Sequence, residues 1–289
     1  MSRPGQEILL EETLRRLRLP TMAREYRETA RQATEASDGY DGFLLALATR
    51  ELEQRQTTQI QRRLHDARFP LLKTLETTDL TRWPGFEATQ VRAYAECQYI
   101  SRRENMVLLG KHGTGKTHAA TVFGVEACRR GYRVLFTTAA HLTNTLIEAR
   151  EERQLKRELA RLSRYELLIL DEVGYIPFSA EGAQLLFQVF SDRYEKGSLI
   201  VTSNLAFAQW TSVFGEASLT AALLDRLTHH CAIHEFGWES IRFADSLRQK
   251  SLTHTPVARV VATTESGSAG STRRSMTPRA SRESSPRSS

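Results

Sequence analysis

Long apolar runs are missing from this sequence of 289 residues. No stretch approaches the ~18 consecutive apolar residues that a membrane-spanning helix requires. The N-terminal segment MSRPGQEILLEETLRRLRLP contains acidic residues early and has no apolar core of the kind that secretory signals carry. We therefore expect a cytoplasmic protein that has no membrane partner.

Cysteine is also scarce. The three cysteines, Cys97, Cys128 and Cys231, are scattered without the regular spacing of a disulfide framework. This usage is typical of a cytosolic protein whose thiols stay reduced.

One short segment, LLDRLTHHCAIHEF (223–236), nevertheless resembles a metal site, because it contains His229, His230, Cys231 and His234. On a helix, the i and i+4 histidines of this segment would share one face. However, CAIHEF is predicted as a strand, in which residues four apart are separated by ~13 Å. Zinc ligands lie ~2 Å from the ion, so we interpret the histidines as structural.

Positive charge is in small excess, and the net charge of +6 is unevenly distributed. Residues 253–289 contain six arginines and two acidic residues, so residues 1–252 have a net charge of only +2. The segment 253–289 is rich in Ser, Thr, Arg and Gly with almost no large apolar side chains, which predicts a disordered tail. Any nucleic-acid binding by the remainder must therefore come from local basic patches.

The first part of the chain, residues 6–82, has a helical pattern in which Leu10, Leu14 and Leu17 recur at i, i+4 and i+7. The predicted helices are one that ends before Pro20, a second that begins near Thr21 and a third from Phe43 toward His65. The third helix ends in a basic cluster, which could be a solvated face or a DNA-contacting surface.

From residue 100 onward, five short apolar runs alternate with helical segments. The runs are NMVLLG (105–110), YRVLFTT (132–138), YELLILDE (165–172), SLIVTSN (198–204) and CAIHEF (231–236). Continuous apolar strands separated by helices predict an α/β fold with a five-stranded parallel sheet covered on both faces.

The first strand leads into GKHGTGKT (110–117), which fits the phosphate-binding pattern G-x-x-x-x-G-K-[ST]. An ordinary glycine-rich turn is the alternative, but the apolar strand before the loop and the helical segment after it favour phosphate binding. Lys116 would reach the β- and γ-phosphates of ATP, and the Thr117 hydroxyl would bind Mg²⁺. The predicted nucleotide-binding residues are Gly110, Lys111, His112, Gly113, Thr114, Gly115, Lys116, Thr117 and His118.

Two further predicted strands finish in polar residues. Their carboxyl ends lie where open α/β sheets bind ligands. Asp171 and Glu172 follow LLIL, so Asp171 could hold Mg²⁺ and Glu172 could activate the attacking water. Two acids could otherwise cap the next helix. Asn204 ends SLIVTSN and could contact the γ-phosphate or the water, although Asn is also a common strand terminator and helix cap.

A second basic segment, REERQLKRELARLSR (150–164), places Arg150, Arg153, Arg157, Arg161 and Arg164 at helical i+3 and i+4 steps. One continuous basic stripe could contact phosphates, and a solvated helix laced by ion pairs is the alternative. No base-reading motif is evident, so binding to duplex DNA is expected to be largely sequence-nonspecific. The predicted DNA-contact candidates are Arg55, Arg62, Arg63, Arg68, Arg150, Arg153, Arg157 and Arg161.

These motifs occur in the order P-loop, LLILDEVGYIPF, IVTSNL, LLDRLTHH and GWESIRF. In this combination the chain resembles the IstB-type transposition helper ATPases, which belong to the AAA+ group and are related to the DnaC helicase loaders. The resemblance covers roughly residues 6–250. It departs from the family at Lys111 and His112, where prolines are usual, and in the C-terminal tail.

The resemblance implies ATP and Mg²⁺ as cofactors, and Asn204 as a sensor of the γ-phosphate. It implies that Arg226 is an arginine finger reaching the ATP of a neighbouring subunit, and that Arg242 is a second sensor arginine. It also implies a homo-oligomer that assembles on duplex DNA and assists a transposase. A surface ion pair is the alternative role for Arg226.

The implied organisation is an all-helical N-terminal DNA- or partner-binding domain (1–82), an AAA+ ATPase domain (83–252) and the disordered tail (253–289). A DnaC-like helicase loader is the nearest alternative function. A small-molecule P-loop kinase would require an arginine-rich lid, and a switch without turnover would not require Glu172.

Overall fold

Five parallel strands form one sheet at the centre of the molecule. A computed structural model of the chain describes residues 3–83 and 86–237, apart from the side chains of three residues, 3, 4 and 82. The strands are β1 (Asn105–Leu109), β2 (Val134–Thr138), β3 (Leu167–Val173), β4 (Ser198–Ser203) and β5 (Cys231–Glu235). Their order in the sheet is β2-β3-β4-β1-β5, with every neighbouring pair parallel. The five predicted strands are thus confirmed, with ends that differ from the prediction by at most two residues.

Helices connect the strands and precede them. They are α1 (Arg3–Arg16), α2 (Pro20–Glu35), α3 (Tyr40–Asp66), α4 (Ala88–Ala95), α5 (Gln98–Ser101), α6 (Lys116–Arg129), α7 (Ala139–Glu151), α8 (Leu155–Leu162), α9 (Ala180–Arg193), α10 (Thr211–Phe214) and α11 (Ala217–Thr228). Short 3-10 turns cover Leu80–Arg82 and Phe207–Gln209. Within the described ranges, none of these helices combines the length and the apolar character needed to cross a membrane.

Both faces of the sheet are buried, because alternate side chains of a strand point to opposite faces. In β1, Val107 and Leu109 join the apolar cluster that includes residues of α7, α9 and α11. Met106 and Leu108 join the cluster on the other face, where α6 packs. This two-sided burial explains why the strand sequences are continuously apolar.

The N-terminal helices have a small apolar cluster of their own, formed by Met22, Tyr26 and Leu47 with Leu14 packed against it. The helical pattern predicted from Leu10, Leu14 and Leu17 is confirmed by α1, although Leu10 and Leu17 are exposed and only Leu14 is partly buried. All described residues belong to one compact unit, Met1–Arg248, and the predicted tail (253–289) lies outside the described residues.

The buried carboxylate of Glu51, on α3, caps the N-terminus of α2. Glu51 accepts hydrogen bonds from the backbone N–H groups of Thr21 (2.8 Å) and Met22 (3.1 Å) and pairs with Arg55 at 2.8 Å. Burial alone would raise the pKa of Glu51, but the hydrogen bonds from Met22, Arg55 and Thr21 outweigh it and lower the pKa below its ordinary value. Arg55 also donates to the carbonyl of Arg18. The guanidinium of Arg55 therefore joins α3 to the α1–α2 connection.

A second buried charge lies near the amino-terminal ends of β3 and β4, whereas the P-loop lies at the carboxyl-terminal end of β1. Arg193, at the end of α9, is only 5% exposed. Its two terminal nitrogens donate to the carbonyls of Leu162 (3.2 Å), Tyr165 (3.0 Å), Glu166 (3.2 Å) and Ser198 (3.0 Å). Burial lowers the pKa of Arg193 to about 10, so the side chain remains charged at neutral pH. One guanidinium thus joins α8, β3 and β4.

Replacing this arginine should destabilise the fold. Arg193→Met retains most of the side-chain volume but deprives four buried carbonyls of a donor, and each unsatisfied group costs ~1–3 kcal/mol. We expect the free energy of unfolding to fall by roughly 3 kcal/mol in urea titrations, since some carbonyls keep a second partner. The exposed Arg102→Met is the matched control and should change it by less than ~0.5 kcal/mol. Equal unfolding midpoints for the two variants would contradict the role of Arg193.

Candidate nucleotide site

The loop between β1 and α6 has the backbone that a phosphate-binding loop requires. Gly110 and Gly115 have φ angles of 143° and 103°, which are left-handed conformations that glycine adopts without steric cost. A Cβ atom at Gly110 would lie 2.6 Å from the carbonyl oxygen of Phe236. Thr114 Oγ1 donates to the Lys111 carbonyl (2.9 Å) within the loop. The sequence 110–117 therefore forms the tight strand-to-helix turn that the pattern predicts.

Lys116, the first residue of α6, folds back over this loop. It is buried, and its ammonium donates to the carbonyls of Gly110 (2.6 Å) and Lys111 (2.7 Å). An ammonium held at the mouth of a glycine-rich turn and at a helix N-terminus can bind phosphate oxygens. The position of Lys116 fits the predicted contact with the β- and γ-phosphates.

A network of three side chains lies beside the loop and joins β3, β4 and α6. Asp171 is buried, and both of its carboxylate oxygens accept from Thr117 Oγ1, at 2.9 and 3.1 Å. Thr202 Oγ1 donates to Asp171 Oδ1 at 2.5 Å and accepts from the Glu172 N–H at 3.0 Å. Thr202 was not identified from the sequence, where it is one of several polar residues at the end of an apolar strand.

This network fits a magnesium ion. Mg²⁺ prefers hard oxygen ligands, and a carboxylate beside a threonine hydroxyl supplies them. Within the described ranges, Asp171 makes no salt bridge with an arginine or lysine, although a buried carboxylate is costly without a compensating charge. A divalent cation bound with the nucleotide would provide that charge. Asp171 and Thr117 are therefore the candidate magnesium ligands.

Glu172 differs from its neighbour in both conformation and exposure. Its φ angle is 62°, unusual for a residue other than glycine, and it lies at a register irregularity between Leu170 and Val173. Its side chain is exposed, whereas Asp171 is buried. The next helix, α9, is capped by Ser179, so neither acid serves as the helix cap that the sequence left open.

Asn204, just beyond β4, contacts the loop. Its Nδ2 lies 3.0 Å from His112 Nε2, and the His112 ring packs edge-on against Tyr175 with centroids 5.5 Å apart. Asn204 Oδ1 is buried and has no hydrogen-bond partner among the described residues. The following 3-10 turn has Ala206 as its N-cap. The helix-cap alternative for Asn204 is therefore excluded, and one amide atom is left for a ligand.

Two other predicted residues have different surroundings. His118 Nε2 lies 3.0 Å from Thr78 Oγ1, and its ring packs edge-on against Trp83, so its side chain faces the segment before α4. Arg226, on α11, places its guanidinium 4.7 Å from the ring centroid of Phe187 and forms no salt bridge with any described residue. Arg242 lies outside the described residues.

The histidines of residues 223–236 are divided between two elements. His234, on β5, is buried, hydrogen-bonds to Tyr94 Oη (2.9 Å) and stacks on Phe86, which agrees with the structural interpretation. His229 and His230 follow α11 and are exposed. Glu195, distant in sequence, lies near them, with the three potential ligand atoms within 4.8 Å of one another.

The predicted basic stripe over residues 150–164 is wrong. The helix is interrupted between α7 and α8, and Arg153 has a left-handed φ angle of 59° at the break. Arg150 pairs with Glu181 at 3.2 Å, whereas Arg161 pairs with Glu158 on α8. Helical spacing suggested one face, but the side chains belong to two helices.

The thiols of the three cysteines have low reactivity at neutral pH. Cys97 and Cys128 are buried and Cys231 is half-buried, and each is a free cysteine. Burial raises the pKa of each thiol to about 12. The reactive thiolate form is therefore scarce at neutral pH.

The known proteins that this chain resembles in sequence are described as ATP-binding proteins. Residues 12–251 match the family described as IstB-like ATP binding protein. The chain is 39% identical over 251 residues to an ATP-binding protein of the insertion sequence IS21 from Pseudomonas aeruginosa, covering 86% of this chain and 95% of the relative. It is 37% identical over 243 residues to the ATP-binding protein of IS5376 from Geobacillus stearothermophilus, covering 84% and 95%.

A solved structure described as a DNA replication initiation factor has a similar fold. Its TM-score is 0.51 at 22% identity, and the match covers 64% of this chain and about half (56%) of that one. This likeness concerns the fold alone. Together with the strand order it confirms the predicted α/β fold, in which a five-stranded parallel sheet follows an all-helical N-terminal region.

The Thr202 hydroxyl should matter for metal binding. Thr202→Val keeps the side-chain shape but removes the donor to Asp171, and loss of such a supporting hydrogen bond typically weakens metal affinity ~10–100-fold. We expect the Mg²⁺ concentration for half-maximal binding of a fluorescent ATP analogue to rise by at least ~10-fold. Thr143→Val is the control, because that buried hydroxyl bonds only within α7. Equal Mg²⁺ titrations for both variants and the unmodified protein would refute this role.

Proposed function

The chain belongs to the IstB-like ATP-binding protein family, and on that basis we propose that it is a Mg²⁺-dependent ATPase that assembles on duplex DNA and assists a transposase. The single observation that carries the ATPase assignment is the buried Asp171 network beside the P-loop, with Glu172 exposed next to it. In this proposal the protein acts in the cytoplasm as a homo-oligomer.

In the proposed reaction, the residues at the carboxyl ends of the strands have different roles. The P-loop amides, Lys116 and the bound cation would neutralise the phosphate charges, which is the main requirement of phosphoryl transfer. The exposed Glu172 would accept a proton from the attacking water. The buried amide oxygen of Asn204 would orient that water or sense the γ-phosphate. Water as the acceptor makes ADP and inorganic phosphate the products.

Removing the proposed base should separate binding from turnover. Glu172→Gln keeps the size of the side chain but cannot accept the proton, so we expect kcat for phosphate release to fall ~10²–10⁴-fold with ATP affinity unchanged. Glu152→Gln, an exposed acid of the α7–α8 connection, is the control and should keep normal turnover. A Glu172→Gln protein with normal phosphate release would rule out the assigned base, and phosphate transfer to an added acceptor would identify a kinase.

The proposed arginine finger requires a neighbouring subunit. Arg226 makes no salt bridge within the described part of its own chain and rests on Phe187, which supports a role for its guanidinium outside the subunit. A finger supplied by another subunit can contribute ~10³–10⁵ in rate. Hydrolysis would then depend on assembly, so ATP turnover would limit the lifetime of the oligomer on DNA.

Mixing two inactive variants tests the finger directly. Arg226→Ala should bind ATP normally but lose DNA-stimulated hydrolysis by ~10³-fold or more. When it is mixed with Glu172→Gln, some interfaces combine an intact Glu172 with an intact Arg226 from the neighbour, so we expect phosphate release to recover. A mixture as inactive as its components would argue that Arg226 acts within its own subunit or not at all.

The client protein separates the proposal from its nearest alternative. A DnaC-like loader would use the same ATPase centre with a replicative helicase in place of a transposase. Capture of purified cognate transposase, but not of replicative helicase, by the ATP-bound protein on DNA supports the proposed function. The reverse result would favour the loader.

A further inference from the structure

A basic groove runs along the edge of the sheet at β2, on elements separate from the P-loop. An open pocket of about 540 Å³ lies between the end of α3, the start of β2 and the end of α8. A second pocket of about 330 Å³ continues along β2 toward His141 and shares Arg68 and Arg161 with the first. The arginines that line the two pockets, here called the β2 groove, are Arg63, Arg68, Arg133, Arg161 and Arg164.

The described residues balance the charges of the β2 groove only in part. Two of the five arginines have acidic partners, Arg133 with Glu166 at 3.6 Å and Arg161 with Glu158. The only acidic residue among those lining the pockets is Asp66, which pairs with Arg62 at 3.7 Å.

The other three arginines, Arg63, Arg68 and Arg164, form no salt bridge with any residue in the described ranges. Arg63 lies in α3, Arg68 lies just beyond its end, and Arg164 lies in the segment that follows α8. Three such guanidiniums from two parts of the chain provide paired donors that match phosphate oxygens.

The backbone holds this arrangement in place. The Phe136 N–H of β2 donates to the Ala67 carbonyl at 2.8 Å, which fixes the end of α3 against the sheet edge. Arg68, the next residue, has a left-handed φ angle of 61°. Glycine usually occupies that position after a helix, and an arginine there costs ~1–2 kcal/mol. The chain therefore has an arginine at a position where glycine would give a more stable backbone.

We propose that the β2 groove binds the phosphate backbone of duplex DNA. Three arginines without a described acidic partner, beside two that have one, indicate a ligand with repeated negative charges. An added peptide strand fits less well, because the Ala67 carbonyl already occupies the Phe136 N–H on the strand edge. Single-strand binding usually requires stacking aromatics, whereas the first pocket contains no Phe or Trp and its one tyrosine, Tyr165, is half-buried and bonded to Arg161.

The proposal assigns a surface to the DNA binding of the proposed function and rests on it. It selects Arg63, Arg68 and Arg161 from the DNA-contact candidates and adds Arg133 and Arg164. Three other candidates, Arg55, Arg62 and Arg150, have acidic partners within the chain and do not line the groove. Arg153 and Arg157 do not line the groove.

Salt-dependent DNA binding tests the assignment. Fluorescence anisotropy of a labelled duplex of random sequence is measured for the full-length protein and for the triple variant Arg63→Gln, Arg68→Gln, Arg164→Gln, at several salt concentrations. Each lost phosphate contact removes ~0.9 from the slope of log affinity against log salt. We expect that slope to decrease by roughly two to three and the affinity at 150 mM salt to fall at least ~10-fold.

The matched control removes the same charge elsewhere. Arg16→Gln, Arg92→Gln, Arg102→Gln replaces three exposed arginines that form no salt bridge among the described residues, and it should change the slope by less than one. Binding of a fluorescent ATP analogue checks that each variant is folded. If the triple variant fails this check, Arg68→Gln and Arg164→Gln are measured singly, with a decrease of about one in slope expected for each.

The possible failures are distinguishable. Unmodified protein that binds no duplex would overturn the DNA-binding part of the proposed function and this assignment with it. Binding by the unmodified protein with an equal slope for the triple variant would overturn the β2 groove alone. Displacement of duplex by polyglutamate at lower charge concentration than by unlabelled duplex would identify an acidic-peptide site and also overturn the proposal.

Discussion

The buried carboxylate of Asp171 is the interaction on which the nucleotide site depends. Through Thr117 it fixes the start of α6, and therefore the P-loop, and through Thr202 it fixes β4. Because a buried charge is costly unless it is hydrogen-bonded, these threonines are constrained to face it. The Glu172 N–H bonds to the same Thr202 hydroxyl. One hydrogen-bonded group thus sets the relative positions of the loop, the candidate metal ligands and the candidate base.

The end of α3 joins the N-terminal helices to the sheet through both polar and apolar contacts. Glu51 caps α2 and pairs with Arg55 within the helical region, and the Ala67 carbonyl bonds to Phe136 on β2. Phe69, just beyond, packs against Phe136 and would clash with any side chain at Gly124 of α6. The end of α3 is therefore held against both the sheet edge and the helix that follows the P-loop. The proposed DNA groove lies at this junction, beside the helix that follows the nucleotide loop.

The proposed oligomer gives the arginines of the chain distinct uses. Arg193 is buried and joins strand and helix ends through backbone carbonyls. The guanidinium of Arg226 lies on an aromatic ring and has no acidic partner among residues 3–83 and 86–237, and those of the β2 groove face an open pocket. In the proposed function, Arg193 stabilises the subunit, Arg226 acts on the ATP of a neighbouring subunit, and the arginines of the β2 groove bind DNA.

Local sequence patterns by themselves determined the fold class and the centre of the nucleotide site. Two-sided burial makes parallel strands continuously apolar, and a P-loop requires glycines and a lysine, here Lys116, at fixed spacing. The strands and the P-loop can therefore be recognised from the sequence. Only the tertiary structure decided which distant residues meet. Thr202 at Asp171, His112 at Asn204 and Arg68 beside Arg164 depend on strand order and helix packing, which no local pattern encodes. The same limit explains why the helical spacing of 150–164 suggested one stripe, since the break at Arg153 becomes evident only when α7 and α8 pack separately.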